Sequence, residues 1–178
     1  MKARNEDTKR FEQLILPHLN AGHNLARWLL RDATAVQDVV QESSLRAFAA
    51  IGRFADGNAR AWFLTIVRHQ CYSWLKQSGG KHYVDIDDEA AMQEQDKLAL
   101  SHVETPELLA ARMQNAAAMQ IALEVLPVPF REVIILKELE ELSYKEIAVV
   151  TGVPIGTVMS RLARGREMLK KELLRNDQ

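Results

Sequence analysis

The chain has 178 residues, room for one ordinary domain or two small ones, and its 47% hydrophobic share supports real cores. Its single cysteine, Cys71, excludes an internal disulfide framework and a multi-cysteine metal site. The charged start MKARNEDTKRFEQ is wrong for a signal peptide, and no apolar run approaches the roughly 18 to 20 residues of a membrane span, so a cytoplasmic protein is expected.

A net charge of −1 argues against a nucleic-acid partner only as an average. Residues 1–77 hold 11 bases against 7 acids, residues 78–107 hold 2 against 8, and residues 108–178 hold 10 against 9. A basic first part and a nearly neutral last part are thus separated by an acidic middle. The last part is itself uneven, since Ser160 to Arg175 carries six bases and two acids. Phosphate contact needs local positive charge of that kind.

In chain order, Thr8 to about Lys76 reads as a run of helices. Asp32 or Thr34 serves as cap for a segment through VQDVVQESSLRAFAAI, where Val36, Val39, Val40, Leu45, Phe48 and Ile51 keep a mostly helical spacing. RFADGN (53–58) interrupts with an Asp-Gly turn signal, and ARAWFLTIVRHQCYSWLK resumes with Trp62, Ile66, Cys71 and Trp74 available for a core. QSGG then breaks the pattern, and residues 78–104 read as a flexible acidic linker. Thr105-Pro106-Glu107 supplies a capping Thr, a first-turn Pro and a first-turn acid for a helix to about Leu126. A further helix is expected from roughly Phe130 to Glu140. The predicted fold is all-α: an N-terminal domain over 1–77, the linker over 78–104, and a C-terminal domain over 105–178.

The last domain carries the sharpest local signal. Ser143-Tyr144-Lys145-Glu146 fits a capping box opening the short helix YKEIAVVT. Ala148 is its small inward residue, Gly152 leaves the helix where positive φ is cheap, and Pro154 precedes a second helix whose Val158 faces back to Ala148. Such spacing is that of a helix-turn-helix, and the second helix, GTVMSRLARGREMLKK, carries Arg161, Arg164 and Lys170 among its polar positions. Taken alone, the same pattern also fits an ordinary helical hairpin with a solvated charged face.

Context on both sides resolves the choice. LPVPFREVIILKELEELSYKEIAVVTGVPIGTVMSRLARGREML resembles the promoter-binding C-terminal domain of extracytoplasmic-function (ECF) sigma factors. DVVQESSLRAFAAIGRF and ARAWFLTIVRHQCYSWLK resemble the promoter-melting N-terminal domain of the same family. The resemblance implies a dissociable subunit of bacterial RNA polymerase, with core polymerase and promoter DNA, duplex and single-stranded, as partners. It leaves an anti-sigma factor open as a third partner, and it implies no cofactor, no metal and no small-molecule substrate.

By matched position, Asp38, Val39, Gln41 and Glu42 fall on the helix that binds the polymerase clamp in the family; Val39 fits a core role equally well. Ala50, Phe54 and His69 fall where the family handles the unpaired strand of the minus-ten element. A flipped base needs an apolar or aromatic wall and polar groups at its edge. Phe54 suits that wall, although it also suits closing the core over Trp62, and Arg53 and Arg60 suit backbone phosphates. His69 departs from the family, which most often has Asn there. Lys137, Ser160, Arg161 and Arg164 match positions that contact the minus-thirty-five duplex. Met159 and Ala163 depart from a basic and a larger residue, which favours an apolar touch such as a thymine methyl. Arg161, beside Val158 and Leu162, is expected to be partly structural, and Arg164 to reach the DNA.

The acidic linker fits a solvated spacer or, by the resemblance, a nucleic-acid mimic in the RNA channel of the polymerase. The rival from another class is a stand-alone helix-turn-helix regulator, dimeric on palindromic half-sites, which leaves the DVVQE and ARAWFLTIV segments unexplained. An enzyme finds no support, because no phosphate loop, triad or carboxylate pair stands out. His18, His23, His69, His82 and His102 are scattered, and Cys71 reads as a packing residue.

Overall fold

The computed structural model describes residues 2–79 and 116–175, and every element within them is helical. The first segment contains α1 (Lys2–Leu14), a short 3-10 turn (Leu16–His18), α2 (Leu19–Leu30), α3 (Ala33–Ala50), a second 3-10 turn (Ile51–Arg53) and α4 (Ala59–Gln77). The second contains α5 (Ala116–Val125), α6 (Val128–Ile134), a π-helical turn (Ile135–Leu139), α7 (Tyr144–Thr151) and α8 (Ile155–Arg175). The expected linker from residue 80 onward and the Thr105-Pro106-Glu107 cap lie outside the described residues.

Local chemistry sets the helix ends. Asp32, rather than Thr34, caps α3: its Oδ1 accepts from the Ala35 amide at 2.8 Å. Asn58 caps α4 in the same way, through the Ala61 amide at 2.9 Å. That cap follows the anticipated Asp-Gly break, but sequence reading stopped at the turn and missed it. The helix placed at Phe130–Glu140 begins two residues earlier, with Pro127 as N-cap and Pro129 in its first turn. Proline is tolerated there because first-turn amides have no helical acceptor to lose. Its end also differs: from Ile135 the coil widens to i→i+5 bonding, with the Glu140 amide donating to Ile135 O at 3.1 Å.

Helices α2, α3 and α4 pack pairwise around Leu25, Leu29, Val36, Ala47, Phe63, Leu64 and Val67. Gly22 lets α2 approach α4 closely, since a Cβ there would lie 2.6 Å from Phe63 Cε1. In the second segment α6 and α7 pack on α8 around Phe130, Ile134, Ile147, Val158, Leu162 and Leu169. The two helical groups also meet. α4 lies against α7, α2 lies against α6, and the buried apolar residues of both segments form one contiguous cluster.

Candidate nucleic-acid interface

The bend at Gly152 is built by the residues that signalled it. Ser143 Oγ accepts from the Glu146 amide at 3.2 Å, while Glu146 Oε2 accepts from the Ser143 amide at 2.7 Å, which completes the capping box of α7. The backbone bond from Ser143 leads the interactions that hold the Glu146 carboxyl below its usual range. Gly152 ends the helix at φ 71°, donating its amide to Ala148 O at 2.9 Å. Helix α8 then departs at 98° to α7, and Val158 is fully buried at the crossing. This is helix-turn-helix geometry. Replacing Ser143 by Ala should cost the C-terminal helices about 1 kcal/mol in urea unfolding. The Glu146 share of that box is present above the unfolded carboxyl pKa and is lost as pH falls through the depressed folded one.

Helix α8 offers an uneven face. Ile155, Gly156, Met159, Ser160 and Ala163 are exposed, with Met159 at 53%. Ser160 Oγ donates locally to Thr157 O at 3.0 Å. The basic residues are less available than their count implies. Arg161 is only 4% exposed and lies close enough to Tyr72 of α4 to act on its phenol electrostatically. Arg164 is half-buried with its guanidinium 5.7 Å from the centre of the Phe130 ring, and Arg166 pairs with Glu138 at 2.6 Å. Lys137 rides on the π turn, where its Nζ donates to Leu142 O at 3.3 Å and lies 5.1 Å from the Tyr144 ring centre. The wider π coil thus carries the expected duplex-side cation to the mouth of the helix-turn-helix, although no sequence signal announced the π turn itself.

In the N-terminal group, Ala50, Arg53 and Phe54 line one open cavity of about 350 Å³ together with Ala55 and Trp62. Phe54 and Trp62 stack with ring centres 4.6 Å apart at 31°. Arg10 pins the loop behind them, donating from Nη2 to Phe54 O at 2.7 Å. Trp62 was read only as a core residue, yet it forms the second aromatic wall of this cavity. His69, exposed, follows Trp62 by seven residues on α4 and so shares its helix face. Arg60, expected at backbone phosphate, pairs with an acid in this structure: its Nη2 donates to Glu140 Oε2 at 2.7 Å.

On α3, Asp38, Gln41 and Glu42 are exposed, and Glu42 takes an i,i+4 ion pair from Arg46 at 2.7 Å. Val39 is 6% exposed and packs in the core. Leu45, one turn beyond Gln41, is largely exposed and extends that face with an apolar patch. Cys71 is fully buried, and burial pushes its thiol up, as suits a packing residue.

Comparison with known proteins agrees with both halves of this geometry. The family model for sigma-70 region 2 matches residues 14–80, and that for sigma-70 region 4 matches residues 117–169. The RNA polymerase sigma-H factor of Pseudomonas aeruginosa is 32% identical over 94% of this chain and 88% of its own length. The ECF RNA polymerase sigma-E factor of Salmonella typhimurium is 31% identical, with the same coverage of each chain. Among solved structures, RpoE of Bartonella quintana, in complex with the anti-sigma factor NepR, has a TM-score of 0.68 at 29% identity, covering 96% of this chain and 99% of its own. CnrH in complex with the cytosolic domain of CnrY gives 0.65 at 26% identity, covering 99% and 95%. With a region 2 helical group bearing an aromatic-walled cavity and a region 4 helix-turn-helix following it, the chain belongs to the ECF group of sigma-70 family sigma factors.

Proposed function

We propose that the chain joins core bacterial RNA polymerase, brings it to a subset of promoters, reads the minus-thirty-five element as duplex and holds the opened minus-ten strand. It performs no chemical step itself and works where the polymerase works, in the cytoplasm. The observation that carries this is the presence in one chain of an open cavity walled by Phe54 and Trp62 and of the α7–α8 helix-turn-helix. A stand-alone regulator has no use for the first. Asp38, Gln41 and Glu42 would meet basic groups of the clamp, with Leu45 as apolar neighbour and Val39 supporting the helix from beneath.

In this assignment Ala50 and Phe54 hold the flipped base, His69 reads an edge, Arg53 holds backbone phosphate, and Arg60 takes phosphate once it leaves Glu140. Lys137, Ser160, Arg161 and Arg164 serve the duplex. Met159 and Ala163 leave the exposed face of α8 short of polar readers, which favours thymine methyl contacts. An anti-sigma partner accords with the complexes in which RpoE and CnrH were solved.

The test is attachment followed by run-off transcription on templates selected from a random promoter library. Replacing Asp38 and Glu42 together by Lys should weaken core binding at least tenfold without shifting the thermal transition. Wild-type affinity in that double variant would remove the α3 face from the interface, and no transcript from the wild-type holoenzyme would remove the function.

A further inference from the structure

Three glycines lie in the helix-turn-helix, and the fold accounts for two of them. Gly152 takes the left-handed φ of 71° that ends α7. Gly165 sits where α8 packs on α6: a Cβ there would lie 2.9 Å from Ile134 Cδ1 and 3.3 Å from Phe130 O. Gly156 has neither reason. It stands in the first turn of α8 in right-handed helical backbone, it is exposed, and a Cβ added to it would meet no atom within 4 Å. The free chain would be more stable with alanine at this position. Glycine in a helix lowers the folding constant about two- to fivefold against alanine, because its unfolded backbone has more freedom to lose. No described residue offsets that cost, so what offsets it lies outside the chain.

The helix face says what that is. Met159, Ser160 and Ala163 follow Gly156 by three, four and seven residues, so Gly156 shares with them the exposed face assigned above to the minus-thirty-five duplex. Glycine is the residue that lets a backbone come directly against a ligand, and protein backbone meets a duplex at its sugar–phosphate wall. We propose that Gly156 is a positioning residue for the duplex: it brings the backbone of α8 into van der Waals contact with that wall and so sets how deep the helix sits in the groove. The inference rests on the sigma-factor function proposed above and adds the residue that fixes the depth of its duplex reader.

Depth matters on this helix because its exposed face is thinly furnished. Ser160 and Ala163 are too short to bridge a gap, and Arg161, which is long enough, is buried. A Cβ stands about 1.5 Å from its Cα, so a wall in contact with the glycine has to draw back by about that distance once a methyl is added. Such a gap takes the short side chains out of reach of the base edges, where long side chains would extend across it. The same methyl has free space in the unbound chain. Folding and duplex binding therefore make opposite demands on this one position.

The test is a comparison of signs. Gly156→Ala should raise the folding constant of the free chain about two- to fivefold in a urea titration and leave its affinity for core polymerase unchanged. The same variant should bind promoters from the selected library at least about fivefold more weakly as holoenzyme, the least that loss of one good duplex contact gives. The loss should be the same factor for every single-position minus-thirty-five variant, because the whole helix is held back. Gly156→Ser should lose at least as much, although its hydroxyl can donate to phosphate. Gly165→Ala is the contrast, and should lower the urea midpoint. Wild-type promoter affinity in Gly156→Ala or in Gly156→Ser overturns the close approach, the latter because it leaves room for a hydroxyl at the wall. A loss confined to one base position overturns it by placing a base edge there, and weakened core binding by placing the polymerase there. A lowered urea midpoint in Gly156→Ala returns the glycine to the fold and overturns it as well. A wild-type holoenzyme with no minus-thirty-five preference fails the sigma reading itself, and the inference with it.

Discussion

Replacing Phe54 by Ala should remove most promoter opening while core binding stays within about twofold of wild type. Phe54 lines a cavity with Ala50, Arg53 and Trp62 that is open to solvent, and its ring stacks on Trp62 at 4.6 Å. Stacking of an unpaired base on an aromatic wall is worth roughly 1–3 kcal/mol, so loss of one wall corresponds to about a 5- to 150-fold fall in opening. The structural share of the same ring is smaller: an aromatic pair contributes about 0.5–1.5 kcal/mol beyond its buried area. Permanganate reactivity of minus-ten thymines measures the first, and a thermal melt of the free chain measures the second. Phe54→Leu separates them further, because it keeps apolar packing over Trp62 while removing the π-face. Opening near wild type in Phe54→Leu would show that the ring closes the core and holds no base.

What the sequence revealed of this fold depended on the range of the interaction concerned. The helix-turn-helix was legible to the residue, since Ser143, Glu146, Gly152 and Pro154 act on backbone groups within four positions of themselves. Asp32 was legible for the same reason, and Asn58 would have been had the cap been sought after the Asp-Gly break. The π turn at Ile135–Leu139 was not, because its extra residue is imposed by packing and by the chain reversal at Glu141, which takes a positive φ of 53°. Nor could Arg60 be read as a paired cation, or Arg68 and Arg131 as buried ones. Their partners lie 80 and 64 residues away for the first two, and for Arg131 one acceptor is 102 residues away, a separation that no periodicity records. Val39 shows the middle case: its helical register fitted both the core and a surface face, and burial places it in the core.

Arg161 and Arg164 should separate completely under substitution, although they stand one turn apart on the same helix. Arg161, 4% exposed beside buried Val158 and Leu162 and close to Tyr72, has its stem in the core. Arg161→Ala removes that packing along with a charge near Tyr72 and should destabilise the chain by about 2 kcal/mol. Arg164 is half-buried over the Phe130 ring at 5.7 Å, an exposed-type cation–π contact worth about 0.5–1 kcal/mol. Its substitution should therefore scarcely move the urea midpoint. On DNA the order reverses. If Arg164 swings from Phe130 into the groove and reads a base, Arg164→Ala should cost roughly 1–3 kcal/mol at one minus-thirty-five position and relax preference there alone. A phosphate contact would instead weaken every site about equally and lower the salt slope by about one. A panel of single-position minus-thirty-five duplexes, titrated at several salt concentrations, distinguishes the two. Selectivity and salt slope both unchanged in the Arg164 variant would leave the thinly polar face of Met159, Ser160 and Ala163 to carry duplex recognition.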